Sequence, residues 1–211
     1  MILSDNPKFL TLVGHVKKWE GTLSKDPRDT AASCVQPGQF HTNRGVTFCT
    51  FKSLAAKLGI TPVTYNRFVS MGDKDAAKFL YEYYKGVGGP KINNPELALA
   101  MTEANWGSGP TRAQKHLIDA LRNLGYTVKD TNQAFELANK APIVKLYEEY
   151  QRLRRYYLEV TLGSSPKYAW AKQGWINRIN DFNKLFKPAA SIFVGPLALL
   201  SFFFRDTLGI K

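Results

Sequence analysis

The sequence predicts a mainly α-helical fold with at most a small β-hairpin in its first half. Three observations lead there. In nearly every clear segment the apolar residues recur at three-to-four spacing, the period of one helix face. The dipeptides Asn6-Pro7, Thr61-Pro62, Asn94-Pro95 and Ser165-Pro166 place a capping side chain before a proline that the first helical turn tolerates. One stretch, residues 22–48, loses the period and gains Pro27, Pro37, Gly38 and Gly45.

The elements follow in order. After Asn6-Pro7, the residues Phe9, Leu12, Val13, Val16 and Trp19 share a stripe that Gly21 closes. Residues 22–48 read as loop, with a hairpin around "FHTNRGVTF" as the one plausible strand region. Short helices are expected over about 50–58, stopped by Gly59, and about 62–69, started by Thr61-Pro62. A third, about 73–85, aligns Ala77, Leu80, Tyr81 and Tyr84. "GVGGPKINNP" at 86–95 is the best internal boundary. Beyond it the pattern predicts helices to about 105, over about 111–124, about 131–139 and about 142–162. A last amphipathic helix is expected from Ser165-Pro166 to about 186.

The chain has 211 residues, 44% hydrophobic and 13% aromatic, enough for a sizeable core. Lys and Arg outnumber Asp and Glu 29 to 17, and the net charge of +12 attracts polyanions: nucleic acid, anionic lipid or a carboxylate-rich cell wall. A nucleic-acid binder would rest on that charge alone, because no recognised binding motif accompanies it. The run Arg152, Arg154, Arg155 reads as a solvated helix face rather than a binding stripe. Cys34 and Cys49 are too few for a disulfide framework and read as two reduced thiols in a protein made in the cytoplasm, with a single bridge left open. Met1 is not followed by the basic start and apolar core of a secretory signal. Residues 188–204 carry no charge, span roughly 25 Å as a helix and are interrupted by Gly195-Pro196. Membrane contact and packing onto the protein's own core are both open for them. His15, His41 and His116 lack ligand spacing, and no Ser-His-Asp or phosphate-binding glycine motif occurs, so neither metal nor cofactor is expected.

Glu20 poses the sharpest question. Steps of four, three and four back from it reach Val16, Val13 and Phe9, so this acid is the last member of the core-facing stripe. Partial burial there disfavours the charged form, and the negative end of the helix acts the same way. A proton-holding carboxyl at the edge of a cleft suits cleavage of a glycosidic bond, whereas an ordinary helix-terminal Glu is simply solvated.

"WEGTLSKDPRD" at 19–29 followed by "RGVT" at 44–47 resembles the start of glycoside hydrolase family 108, largely phage and prophage muramidases with a lysozyme-like helical fold. "AAKFLYEYYKG" at 76–86, "MTEANWGSGPTRAQKHLIDAL" at 101–121 and "GWINRINDF" at 174–182 are similar to later elements of that family, so the resemblance covers about residues 8–183. It implies a catalytic segment over 1–90, a helical peptidoglycan-binding segment over 91–187 packed on it, and a hydrophobic tail over 188–211. It maps the family's catalytic Glu onto Glu20 as general acid for the bond between N-acetylmuramic acid and N-acetylglucosamine. Asp26 and Asp29 are the nearest candidates for a second carboxylate, although Asp-Pro in a loop also forms turns. Thr47 sits where the family has its Gly-hydrophobic-Thr element and would orient a water or cap a helix. Asn105 would bind a sugar N-acetyl group or act as a turn residue. Trp106, Tyr81 and Tyr84 read as core.

The resemblance implies a phage-type endolysin acting on peptidoglycan at the bacterial cell wall. The family's Gly-Tyr is here Thr22-Leu23, and its Asp-Pro-Gly-Gly loop is Asp29-Thr30-Ala31-Ala32. These departures leave a catalytically inactive wall-binding or structural module of the same fold as the alternative.

Overall fold

A computed structural model describes residues 6–27 and 29–188. Helix α1 (Pro7–Glu20) starts where the Asn6 side chain accepts from the backbone N–H groups of Lys8 and Phe9, and Gly21 at φ 67° ends it. Phe9, Leu12 and Val16 point inward from it.

The stretch 22–48 contains three two-residue strands, β1 (Leu23–Ser24), β2 (Thr42–Asn43) and β3 (Val46–Thr47), antiparallel in the order β1-β2-β3. Leu23 lies opposite Asn43, and Thr42 opposite Thr47. The expected hairpin is β2–β3. Strand β1 escaped the sequence pattern because two residues cannot display alternation. A 3-10 helix over Thr30–Cys34 is capped by Asp29, whose side chain accepts from Ala31 N–H.

Cys34 and Cys49 form a disulfide with their Cα atoms 5.4 Å apart, which corrects the reading of two reduced thiols. The cause is topological. The hairpin carries the chain straight into α2 (Phe48–Leu54), which packs beside that 3-10 helix.

Helix α2 begins earlier than expected because Thr47 caps it, and α3 (Tyr65–Val69) begins later because its cap is Thr64. Helix α4 (Asp73–Gly86) follows. In the second half, α5 (Pro95–Ser108) is capped by Asn94, and every residue from Leu97 to Asn105 is buried, so it is the central helix. Helices α6 (Pro110–Asn123) and α8 (Ile143–Tyr156) pack on it, α7 (Thr131–Ala138) packs on α6, and α8 continues as π-helical turns over Tyr157–Leu162.

Ser165-Pro166 does not open the last helix. Turns and a short 3-10 helix (Ala169–Ala171) intervene, and α9 runs over Lys172–Leu185. The run at 152–155 is not uniformly a solvated face either. Arg152 and Arg155 are on the outside, paired with Glu149 and Glu159, but Arg154 is buried against Glu103. Successive residues of a helix point about 100° apart, so adjacent arginines meet different surroundings.

The main core runs from Phe9, Leu12 and Val16 of α1 through α5 to Phe182 and Phe186, and is therefore continuous across the Gly- and Pro-rich stretch 86–95. A smaller cluster holds Val46, Phe51, Phe68, Met71 and Phe79, and Trp106 packs against both. Burying each such Phe is worth about 1.5–3 kcal/mol. The architecture is a mainly α, lysozyme-like fold. Among the described residues no helix is long and apolar enough to cross a membrane, and residues 189–204 lie outside them.

Candidate active site

Glu20 ends α1, and 23% of its side chain is exposed. Three elements hold it. Gly45, at φ 77° in the turn between β2 and β3, approaches so closely that a Cβ there would stand 2.7 Å from Glu20 Cγ and 2.7 Å from Trp106 Nε1. Only glycine combines that conformation with that approach. Arg44 beside it turns away, its Nε donating to Asp73 Oδ1 at 2.7 Å. From α9, Arg178 Nη1 donates to Glu20 Oε1, while its Nε donates to Oε1 of Glu103 on α5. Glu103 is fully buried, and its second oxygen pairs with the buried Arg154 of α8. Two carboxylates and two guanidiniums thus form one chain of neutralised charge from the core to Glu20.

The α1–α9 contact follows helical spacing. Arg178, Asp181 and Phe182 share one face of α9. Asp181 accepts from Lys18 Nζ at 2.7 Å and Trp19 Nε1 at 3.0 Å, and these bonds hold its carboxyl below the usual range. Phe182 meets the His15 ring edge-on, centroids 5.4 Å apart. Burial, then the Arg178 charge, pushes the His15 pKa down to about 4, with Asp181 opposing.

On the α4 side Tyr83 stacks obliquely on Trp106, centroids 4.7 Å apart. Burial raises its phenol pKa and the Glu20 charge adds to that, against a hydrogen bond from Thr50. Thr47 caps α2, accepting from Thr50 N–H at 3.1 Å, with the two hydroxyls 3.0 Å apart. Asn105 is buried and donates to the Tyr83 carbonyl at 2.7 Å, so its amide nitrogen secures α5 to α4 in this conformation. Tyr83 thus interacts with Glu20 through its charge, with Asn105 through its backbone carbonyl, and with Thr50, whose hydroxyl faces that of Thr47.

Asp26 and Asp29 gather around His41 instead. The Asp26 carbonyl lies 3.0 Å from His41 Nε2, and Asp29 Oδ2 lies 4.0 Å from Nδ1. Asp29 also makes the cap contact its turn-forming reading anticipates. A groove of about 800 Å³ between α1 and α4 is lined by Phe9, Leu10, Val13, Leu58, Ala77 and Tyr81, among others. Its lining does not include Glu20, so its size does not make it the site.

Residues 13–109 match the family model described as Glycosyl hydrolase 108. That segment is a glycosyl hydrolase 108 domain. It runs from the middle of α1 to the end of α5 and contains Glu20, Gly45, Tyr83, Glu103 and Trp106. At the family level such a domain is a peptidoglycan-degrading glycosidase. The chain is also similar in fold to SagA of Brucella abortus, over 87% of this chain and 98% of that one, with a TM-score of 0.59 and 22% identity. No curated protein matches it by sequence.

Sequence reasoning missed Arg178, Glu103 and Arg154 as parts of this arrangement. The "GWINR" element contains Arg178, but nothing in its spacing shows that it meets residue 20. Glu103 carried the more usable signal, an acid inside the apolar run "ELALAMTEANW".

Proposed function

We propose that the protein is an N-acetylmuramidase of the lysozyme type, cleaving the bond between N-acetylmuramic acid and N-acetylglucosamine in peptidoglycan with Glu20 as general acid. The observation that carries this reading is the placement of Glu20 within the glycosyl hydrolase 108 domain: part-exposed at a helix end, closely approached by Gly45, and held by Arg178. In the reaction a protonated Glu20 delivers its proton to the leaving oxygen as the glycosidic bond breaks. Water then adds to the anomeric carbon, and its proton passes to a carboxylate. Asp26 and Asp29 are the candidates for that second group. Thr47 and Asn105 are the candidates for ordering water and sugar. The positive charge of the chain favours residence on anionic wall polymer, and we place its action at the bacterial cell wall, as in phage endolysins.

The test is digestion of purified peptidoglycan with mass analysis of the products and a count of new reducing ends. Fragments ending in reducing N-acetylmuramic acid are expected, with Glu20→Gln slower by about 10²–10⁴-fold. Fragments ending in reducing N-acetylglucosamine would reassign the bond. Wall binding without any new reducing ends would favour the inactive module that the altered Thr22-Leu23 and Asp29-Thr30 positions allow.

A further inference from the structure

We propose that Arg178 is a positioning residue for Glu20, and that the buried Glu103–Arg154 pair fixes its guanidinium, so that α8 and α9 complete the active site. This rests on the reading of Glu20 as the general acid. Arg154 and Arg178 both lie beyond the matched segment 13–109. The segment that the resemblance gives to wall binding thus also supplies part of the catalytic apparatus.

Glu20 is the last residue of α1, with Gly21 following, so its own helix does little to orient it. The planar guanidinium of Arg178 presents donors in fixed directions, and two of them reach two carboxylates on different helices. Glu103 cannot swing aside, because it is fully buried and its other oxygen pairs with Arg154. Packing alone does not account for this arrangement. Replacing a buried ionic cluster by well-packed apolar side chains of similar volume is often neutral or stabilising. A charged chain that ends on one part-exposed carboxylate is suited to holding that carboxylate in one direction.

The groups facing Glu20 are Arg178 from α9 and Tyr83 from α4, with Glu103 of α5 and Arg154 of α8 behind Arg178. The β2–β3 turn contributes Gly45 and no charge, since Arg44 is paired with Asp73.

The full-length chain is assayed on soluble, uncrosslinked glycan strands as wild type, Arg178→Met, Arg178→Lys and Glu20→Gln, with circular dichroism and thermal melts as folding controls. Folded Arg178→Met is expected to lose about tenfold or more in kcat with KM changed less than about threefold. Arg178→Lys keeps the charge but not the fork, so its kcat also drops while KM stays within about threefold. A folded Arg178→Met with wild-type kcat overturns the proposal while leaving Glu20 intact, provided that Glu20→Gln is inactive. If Arg178→Met does not fold, Arg178→Lys decides: reduced kcat with KM little changed supports the proposal, and wild-type kcat overturns it. A fully active Glu20→Gln brings down the reading of Glu20 itself, and this proposal with it.

Discussion

Gly45 shows how much a missing side chain can matter. It combines a left-handed φ of 77° with contacts on Glu20 and Trp106 that leave no room for a methyl group. Gly45→Ala should therefore destabilise the fold by about 1–3 kcal/mol, read from the urea midpoint, and should displace Glu20 enough to slow peptidoglycan cleavage. An unchanged midpoint would mean that the turn shifts freely. In sequence the position appears only as the Gly of "RGVT". Its meaning depends on a side chain 25 positions earlier and another 61 positions later, the differences 45 − 20 and 106 − 45. Arg154 illustrates the converse. Between two outward-facing neighbours it reads as surface, and only the packing of α8 on α5 turns it inward onto Glu103.

Helices α1, α5 and α7 could be read from sequence because cap and period agree there, while α4, α6 and α8, which lack a side-chain cap, were legible from period alone. Asn6, Asn94 and Asp130 each accept a backbone N–H at the start of a stretch with three-to-four spacing. The reading failed at Ser165-Pro166. There the chain leaves α8 through π-helical turns and enters α9 only at Lys172, and local capping chemistry does not register the space between packed helices. The disulfide belongs with the elements it joins, the 3-10 helix Thr30–Cys34 and α2, 15 residues apart at its two cysteines. Closing a loop of that size stabilises by about 3 kcal/mol. Cys49→Ser, or reduction of the wild type, should lower the urea midpoint by the corresponding amount. Equal midpoints with and without reductant would show that the thiols are not joined in solution.

Two apolar clusters bridged by Trp106 form the interior of the described molecule, and two of its buried histidines lie against the larger one. His15 and His116 are buried, and burial pushes each pKa down to about 4, with the Arg112 charge assisting at His116. Because the folded value lies below the unfolded one near 6.5, the unfolded chain binds more protons between those limits. The associated stability is complete above about pH 6.5 and is lost as pH falls toward about 4, by up to about 3 kcal/mol for each residue. Urea midpoints measured from pH 7 to 4.5 should fall steadily for the wild type and less steeply for His116→Gln. Parallel curves would show that His116 can be protonated without cost.

Charge, helix content and the order of motifs are properties of the chain itself. They determined that the protein is mainly helical, strongly basic and similar to glycosyl hydrolase 108, because helical periodicity and capping act over a few residues and leave their mark in the letters. The partners of Glu20 were decided by tertiary structure. Arg178 stands 158 residues away, behind it lie Glu103 and Arg154, and the cysteines meet only after the hairpin folds back. Contacts of that kind depend on how helices pack around α5, and packing is set by the shapes of all the faces at once.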